Sequence, residues 1–214
     1  MKRHDLAHIR QDYTKKELSL EDCLPDPVAQ FSQWLDEAIT SQVNEPTAMN
    51  VATADANGRP SARMVLLKGI EQQQFVFYSN YDSRKGGQIA ANPYVALTFF
   101  WPELERQVRI EGKISQLAAD TSDAYFHSRP YSSRVGAWAS EQSRPLDAKS
   151  TLVKRAAFFA AKYITSVPRP PHWGGYGVSP ERIEFWQGRP SRLHDRVVYE
   201  LKDEGRWDKV CLYP

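Results

Sequence analysis

The run Ser61-Ala62-Arg63-Met64-Val65-Leu66-Leu67-Lys68-Gly69 decides how this chain folds. Its centre, Met64 to Leu67, is consecutively apolar, a pattern that predicts a strand buried on both faces, as in a barrel wall or a central strand. Upstream, Ala48 to Ala54 reads as a strand, and Asp55-Ala56-Asn57-Gly58-Arg59 between the two carries the Asn-Gly signal of a tight hairpin. Downstream, Gln74 to Asn80, Tyr94 to Trp101 and Arg106 to Leu117 read as three more strands, the last two joined by Pro102-Glu103-Leu104-Glu105. A single short helix, capped by Ser83 and stopped by Asn92-Pro93, interrupts them. Short turns and one helix among these strands predict an antiparallel barrel or sandwich rather than a doubly wound sheet. The expected class is α+β, mainly antiparallel β with flanking helices.

The flanks carry the helices. Asp26 as N-cap and Pro27 at the first helical position open an amphipathic helix to about Ser41, with Val28, Phe31, Leu35, Ala38 and Ile39 on its apolar stripe. The chain turns helical again at Asp120. There Tyr125, Arg129 and Ser133 recur at steps of four, but Pro130 makes them straddle a helix end and a turn. Asp147 is expected to cap a long helix to about Tyr163. After the stiff connector Val167-Pro168-Arg169-Pro170-Pro171, strands are expected at about 175–179, 181–187, 192–200 and 206–212. Residues 1–25 read as a mobile arm and 26–214 as one domain.

Composition excludes more than it assigns. A net charge of +2 over 214 residues gives no global pull towards nucleic acid or membrane. No apolar run approaches the roughly 20 residues that span a bilayer. The start, Met1-Lys2-Arg3-His4-Asp5, lacks the apolar core of a signal peptide. Cys23 and Cys211 are far apart with no CxxC spacing, so a reducing cytoplasm fits. No GxSxG, HExxH, GxGxxG or GxxxxGK[ST] occurs, so hydrolytic triads, zinc sites and common nucleotide loops find no support.

What remains is a set of cations, hydroxyls and aromatics in separate clusters. Arg63 and Lys68 bracket the apolar run with opposed parity; they fit two different anions, or side chains snorkelling at the strand ends. Arg84 and Lys85 fall in the first turn of the short helix, where cations oppose the helix dipole; a bound phosphate would relieve that, and solvated charges on an exposed turn fit equally. Ser128-Arg129-Pro130-Tyr131-Ser132-Ser133-Arg134 has a phosphate-friendly composition. In Phe185-Trp186-Gln187-Gly188-Arg189-Pro190-Ser191-Arg192-Leu193-His194-Asp195-Arg196-Val197-Val198-Tyr199, an extended strand would put Arg192, His194 and Arg196 on one face, over about 13 Å. The same alternation fits a solvated edge strand whose charges discourage aggregation. These groups bind phosphates and flat rings well but include no strong nucleophile, so a bound cofactor is expected to perform the reaction.

Several of these pieces, in this order, resemble the pyridoxine/pyridoxamine 5′-phosphate oxidase family almost from end to end. They are Arg10-x-x-Tyr13, Arg63 to Lys68, Ser83-Arg84-Lys85, Glu105-Arg106-Gln107-Val108, Phe126-His127-Ser128-Arg129-Pro130, Trp173-Gly174-Gly175, Phe185-Trp186-Gln187-Gly188 and Arg192-Leu193-His194-Asp195-Arg196. The resemblance implies an FMN-binding split β-barrel and a homodimer with two active sites at the subunit interface. It implies that Arg63, Arg84 and Lys85 hold the FMN phosphate. Met64, Val65, Leu66, Leu67, Lys68, Tyr78, Ser79 and Gln107 would line the flavin, and Gln142, Ser143, Trp186 and Arg196 would add contacts, some across subunits. Lys68, Tyr125, Arg129 and Ser133 would grip the substrate phosphate, with Arg192 and His194 against the pyridine ring. Arg10 and Tyr13 match a segment that closes over the substrate.

The implied reaction makes pyridoxal 5′-phosphate, the last step of vitamin B6 cofactor synthesis and salvage. Hydride passes from substrate C4′ to flavin N5, an amine substrate's imine is hydrolysed, and dioxygen reoxidises the flavin to give hydrogen peroxide. Arg192 would orient the ring and help polarise the substrate, with His194 assisting. The rivals are a related FMN oxidase acting on a phenazine precursor and a non-catalytic flavin- or B6-binding protein. The phosphate grip argues against the first, and the Arg192/His194 pair against the second.

Overall fold

The computed structural model describes residues 12–214, which divide into two compact units. One comprises Ala48–Leu97 and Glu111–Pro180; the other comprises the chain up to Thr47, Thr98–Ile110 and Glu181–Pro214. The strand pairs named below run antiparallel, and helices flank the sheet in sequence. The expected class, mainly antiparallel β with flanking helices, is what is observed.

In the first unit, β1 (Ala48–Ala54) and β2 (Pro60–Leu66) form the expected hairpin, with Arg63 opposite Val51. Its turn is closed by Asp55, whose Oδ1 accepts from the N–H groups of Asn57 and Arg59 at 2.9 Å. Gly58, at φ +76°, takes the left-handed position that the Asn-Gly signal anticipates. The chain then forms β3 (Gly69–Glu71), β4 (Gln74–Asn80) and α2 (Arg84–Ala91). It passes through β5 (Tyr94–Trp101) and β6 (Arg106–Gln116), which carry residues of both units. Helices α3 (Ala119–Ser128), α4 (Tyr131–Ala139) and α5 (Lys149–Lys162) follow, then β7 (Trp173–Gln187). The strand order is β2-β1-β5-β6-β7-β4-β3. Phe75, Val76, Phe77, Tyr176 and Val178 are buried on β4 and β7, where the rings of Phe77 and Tyr176 lie 5.5 Å apart.

Several local expectations fail for identifiable reasons. The apolar run of β2 is not buried on both faces: β2 ends the strand order, and Met64 is 62% and Leu66 39% exposed. The strand stops at Leu66 rather than Gly69. Lys68 sits in the link to β3, its N–H donating to Val76 O at 2.8 Å, so the parity argument for Arg63 and Lys68 loses its regular strand. Asp147 is not a cap: α5 starts after Ala148, without a side-chain cap, in a stretch exposed from 141 to 150 where water can serve the free N–H groups. The strands expected at 175–179 and 181–187 are one strand running through Pro180. Gly112 makes room there, since a Cβ on it would sit 2.0 Å from Ser179 O.

The second unit packs α1 (Pro27–Thr40), capped by Asp26 as expected, against aromatic side chains. Phe31 meets Phe99 at 4.8 Å, and Trp34 meets Phe185 edge-on at 5.1 Å. Trp34 takes the buried place expected for Ile39, which is 51% exposed; the Arg106 guanidinium lies over the Trp34 ring at 4.1 Å. The unit also holds β8 (Asp195–Leu201), paired with β7, and β9 (Trp207–Cys211), paired with β8. Residues 12–25 are tied in by hydrogen bonds. Thr14 and Lys15 donate backbone N–H groups to the Glu105 carboxylate, Leu18 donates to Asp195, and Lys209 donates to the carbonyls of Leu20 and Cys23. Arg10 lies outside the described residues.

Gly86 seats the start of α2, because a Cβ there would lie 1.8 Å from the Tyr81 carbonyl oxygen. Gly86→Ala is expected to cost about 2 kcal/mol or more by forcing that backbone apart. Urea unfolding should show a lower midpoint at an unchanged slope.

Candidate active site

A cavity of about 740 Å³ opens in the first unit. One end is built on β2 and α2. Ser83 caps α2, its Oγ accepting from Gly86 N at 3.3 Å, and this turns Lys85 inward, where it is buried. Lys85 Nζ donates to Ser83 Oγ at 2.9 Å and to Gln142 Oε1 at 2.7 Å. Arg63 is threaded along the hairpin: Nη1 donates to Val51 O at 3.0 Å and Thr53 Oγ1 at 2.7 Å, and Nη2 to Ser61 Oγ at 2.6 Å. Gln88 Oε1 accepts from both Thr53 and Ser61, which orients those hydroxyls. Every partner is neutral. Burial, and then the neighbouring Arg84, holds the Arg63 guanidinium below its usual range. Burial, and then Arg63, pulls the Lys85 ammonium down to about 8.

The other end is built on α3, α4 and β7. Tyr125 and Tyr78 stack at 3.7 Å between centroids, 12° from parallel. Burial raises both phenols, Tyr78 to about 12, with Glu71 the next cause there. Pro130 ends α3 and starts α4, which places Ser133 in the first turn of α4, beside free backbone N–H groups that favour anions. Arg129 lies 4.5 Å above the Trp173 ring, and its buried Nη1 has no hydrogen-bond partner among the described residues. Lys68 joins the lining from the β2–β3 link. Among the described residues, the lining carries the cations Arg63, Lys68, Arg84, Lys85 and Arg129 and no carboxylate. Such a donor set fits phosphate groups, and the stacked aromatic wall fits a flat ring.

Most of the expected site residues therefore meet in one place. Met64, Val65, Leu66, Tyr78, Ser79, Gln142 and Ser143 line this cavity with the cations, Tyr125 and Ser133. Exposed Met64 and Leu66 make sense as wall rather than core. Ser143, at φ +73°, holds a left-handed conformation of the kind that gathers at functional sites. Leu67 is buried and does not line the cavity. Asn80, Pro130 and Trp173 line it without having been assigned there; the signal for Trp173 was the Trp173-Gly174-Gly175 motif.

Gln107, Trp186, Arg192, His194, Arg196 and Tyr13 belong to the second unit. Here the expected row fails. Pro190–Arg192 is a tight turn with Ser191 at φ +57° and Arg192 at φ +63°, and the strand starts only at Asp195, so Arg192, His194 and Arg196 do not alternate along one strand. Pro190 and the left-handed pair break the extended geometry that the alternation required. Arg196 makes a two-pronged contact with buried Glu184, Nε to Oε1 at 3.1 Å and Nη2 to Oε2 at 3.0 Å, and donates from Nη1 to Tyr213 O. His194 packs on Trp186 at 4.6 Å, and Tyr13 sits edge-on to Trp186 at 5.7 Å and to His194 at 5.8 Å. His194 Nδ1 accepts from Arg189 N at 3.1 Å, which leaves the ring proton on Nε2. Burial, and then Arg192, lowers its pKa. Gln107 is half-buried on β6.

Fold and cavity define a class: antiparallel β proteins that offer a cationic, aromatic-walled pocket, as split β-barrels do. Residues 35–161 match the family described as "Pyridoxamine 5'-phosphate oxidase", and residues 173–214 match "Pyridoxine 5'-phosphate oxidase C-terminal dimerisation region". Similar proteins named pyridoxine/pyridoxamine 5′-phosphate oxidase occur in Chromobacterium violaceum, 67% identical over 98% of this chain and 99% of that one. Another, in Actinobacillus pleuropneumoniae serotype 5b, is 64% identical over 98% and 100%. Among solved structures, PhzG from Burkholderia lata 383, in complex with tetrahydrophenazine-1-carboxylic acid, aligns with a TM-score of 0.86 at 30% identity, covering 91% of this chain and 95% of that one. A pyridoxamine 5′-phosphate oxidase-related, FMN binding protein from Nostoc punctiforme shares the fold at a TM-score of 0.71 and 17% identity, covering 88% and 98%. This chain belongs to the pyridoxine/pyridoxamine 5′-phosphate oxidase family.

Arg129→Leu deletes a buried donor that has no partner among the described residues, against the loss of two cation–π contacts, to Trp173 at 4.5 Å and to Phe126 at 5.7 Å. Ligand-free stability should change by no more than about 1 kcal/mol. A chemical denaturation midpoint showing a loss of several kcal/mol would mean that Nη1 is paired after all.

Proposed function

We propose that this chain is an FMN-dependent oxidase that converts pyridoxine 5′-phosphate or pyridoxamine 5′-phosphate to pyridoxal 5′-phosphate, the last step in making the B6 cofactor. The observation that carries the reading is the cationic cavity, which among the described residues is lined by no carboxylate and leaves a buried Arg129 donor unpaired. Arg63, Arg84 and Lys85 would hold the FMN phosphate, and Met64, Val65, Leu66, Tyr78, Ser79, Gln142 and Ser143 would line the flavin. Lys68, Tyr125, Arg129 and Ser133 would grip the substrate phosphate. Bound there, FMN would supply a hydride acceptor for substrate C4′ and a route for the two electrons and protons to dioxygen, giving hydrogen peroxide.

The chain's own part is binding and orientation. Arg192 orients the pyridine ring and helps polarise the substrate. His194, neutral with its proton on Nε2, assists by hydrogen bonding. Tyr13, already packed on Trp186 and His194, shields that face from water, with Arg10 beside it in sequence. Gln107, Trp186 and Arg196 complete the flavin contacts. The working unit is a homodimer with its active sites at the subunit interface, a reading supported by the match to a dimerisation region. No helix among the described residues is long and apolar enough to cross a membrane, and a cytoplasmic location fits that.

A phenazine-type substrate is the competing reading, favoured by the likeness to PhzG at 30% identity. The higher identity to the phosphate oxidases and the second cationic end of the cavity weigh against it.

The purified protein should be yellow, and anaerobic pyridoxine 5′-phosphate should bleach its flavin absorbance. A colourless protein, or a yellow one that does not bleach, would reject the reading. Arg192→Leu should keep FMN and slow substrate oxidation by at least about a hundredfold, the scale of a lost polarising group; a near-normal rate removes that role.

FMN affinity should also depend on pH through Lys85. The folded, ligand-free ammonium has its pKa lowered to about 8, so it is charged below that value and increasingly neutral above it. The dianionic phosphate is therefore held best below pH 8, and its dissociation constant should climb from pH 8 to 9.5. In Lys85→Met, fluorescence titration should find weaker binding and no such climb.

A further inference from the structure

We propose that Trp173 is a positioning residue for the phosphate grip, a role that rests on the substrate reading above. Its indole is the platform on which Arg129 and Tyr125 are set before a phosphate arrives. Trp173 opens β7, is buried, and lines the cavity, and among the described residues its ring makes no hydrogen bond. Arg129 lies over it at 4.5 Å, and Tyr125 is nearly parallel to it, 4° off at 6.3 Å. Tyr78 completes the layer, 13° off at 5.6 Å, and Phe126 braces the indole edge-on at 5.1 Å.

The chemistry of that platform matters. A carboxylate beside Arg129 would hold it firmly but occupy the N–H donors that a phosphate needs. A ring face attracts the guanidinium through its quadrupole and uses none of them. The buried, unpartnered Nη1 of Arg129 is the visible result. The backbone of Trp173 is fixed independently of its ring. Its N–H donates to Pro170 O at 3.1 Å, and its carbonyl accepts from Arg169 Nη1 at 2.8 Å, while Arg169 Nε is paired with Asp123 on α3. Gly175 serves the same layer by leaving space, since a Cβ on it would lie 2.9 Å from the Tyr78 ring.

The test compares wild type, Trp173→Leu, Trp173→Phe, Arg129→Leu and the Trp173→Leu/Arg129→Leu pair as FMN-loaded protein. It reads equilibrium binding of pyridoxal 5′-phosphate and of phosphate-free pyridoxal, then KM and kcat for pyridoxine 5′-phosphate. In Trp173→Leu, pyridoxal 5′-phosphate should bind about tenfold more weakly, the scale of a desolvated cation–π contact. Pyridoxal binding, kcat and FMN content should stay within about twofold. Trp173→Phe should recover most of the loss, since it keeps a ring face. In the Arg129→Leu background, Trp173→Leu should add less than about twofold, because the group it positions is gone. Unchanged pyridoxal 5′-phosphate affinity in Trp173→Leu would overturn the inference, and so would equal losses for both ligands or full additivity in the pair. A wild type that binds pyridoxal 5′-phosphate but oxidises nothing would reject the functional reading alone. A wild type that does not bind it would reject both.

Discussion

Arg63 and Lys85 are brought together by the hairpin and the capped start of α2, and among the described residues no acidic group accompanies them in the cavity lining. Like charges held close in a partly buried place repel, and burial removes the water that would screen them. The structure tolerates this because neutral acceptors hold each donor: a backbone carbonyl and hydroxyls on Arg63, and Ser83 with Gln142 on Lys85. Neutral partners orient the cations without cancelling them. The remaining electrostatic demand is for an anion, and the rest of the cavity follows from meeting it.

The local rule-breaking becomes intelligible on that footing. Cations at the first turn of α2 oppose the helix dipole, yet Ser83 still caps the helix normally. Ser143, Ser191 and Arg192 adopt left-handed backbone without being glycine. Met64 and Leu66 leave apolar surface exposed on the last strand of the sheet. Each would be a small fault in a protein selected for stability alone. Met64, Leu66 and Ser143 line the cavity, where such departures are the kind a binding site retains.

Much of the fold was legible because its signals are local. The Asn-Gly turn, the Asp26-Pro27 helix start, the Ser83 cap and the Asn92-Pro93 stop each depend on a few neighbouring residues. Legibility failed where the deciding contact is distant in sequence. Whether Met64 to Leu67 faces core or cavity depends on β2 having one strand neighbour rather than two, and strand order is not written in any one segment. The break at Pro190–Arg192 is not legible in the charge pattern, because alternation is only meaningful if the backbone stays extended, and Ser191 and Arg192 at positive φ leave that region.

The chemical character of the site was determined by the sequence alone: which cations, hydroxyls and aromatics exist, in motifs specific enough to mark a family. Tertiary structure decided what each one touches. It put Arg129 on Trp173 rather than on a carboxylate, tied Arg196 to Glu184, and buried Leu67 while its neighbours line the cavity. The reason is range. Capping and turn preferences act within one turn of chain, whereas ring stacking, burial and the crowding of charges arise only when segments far apart in sequence are packed together.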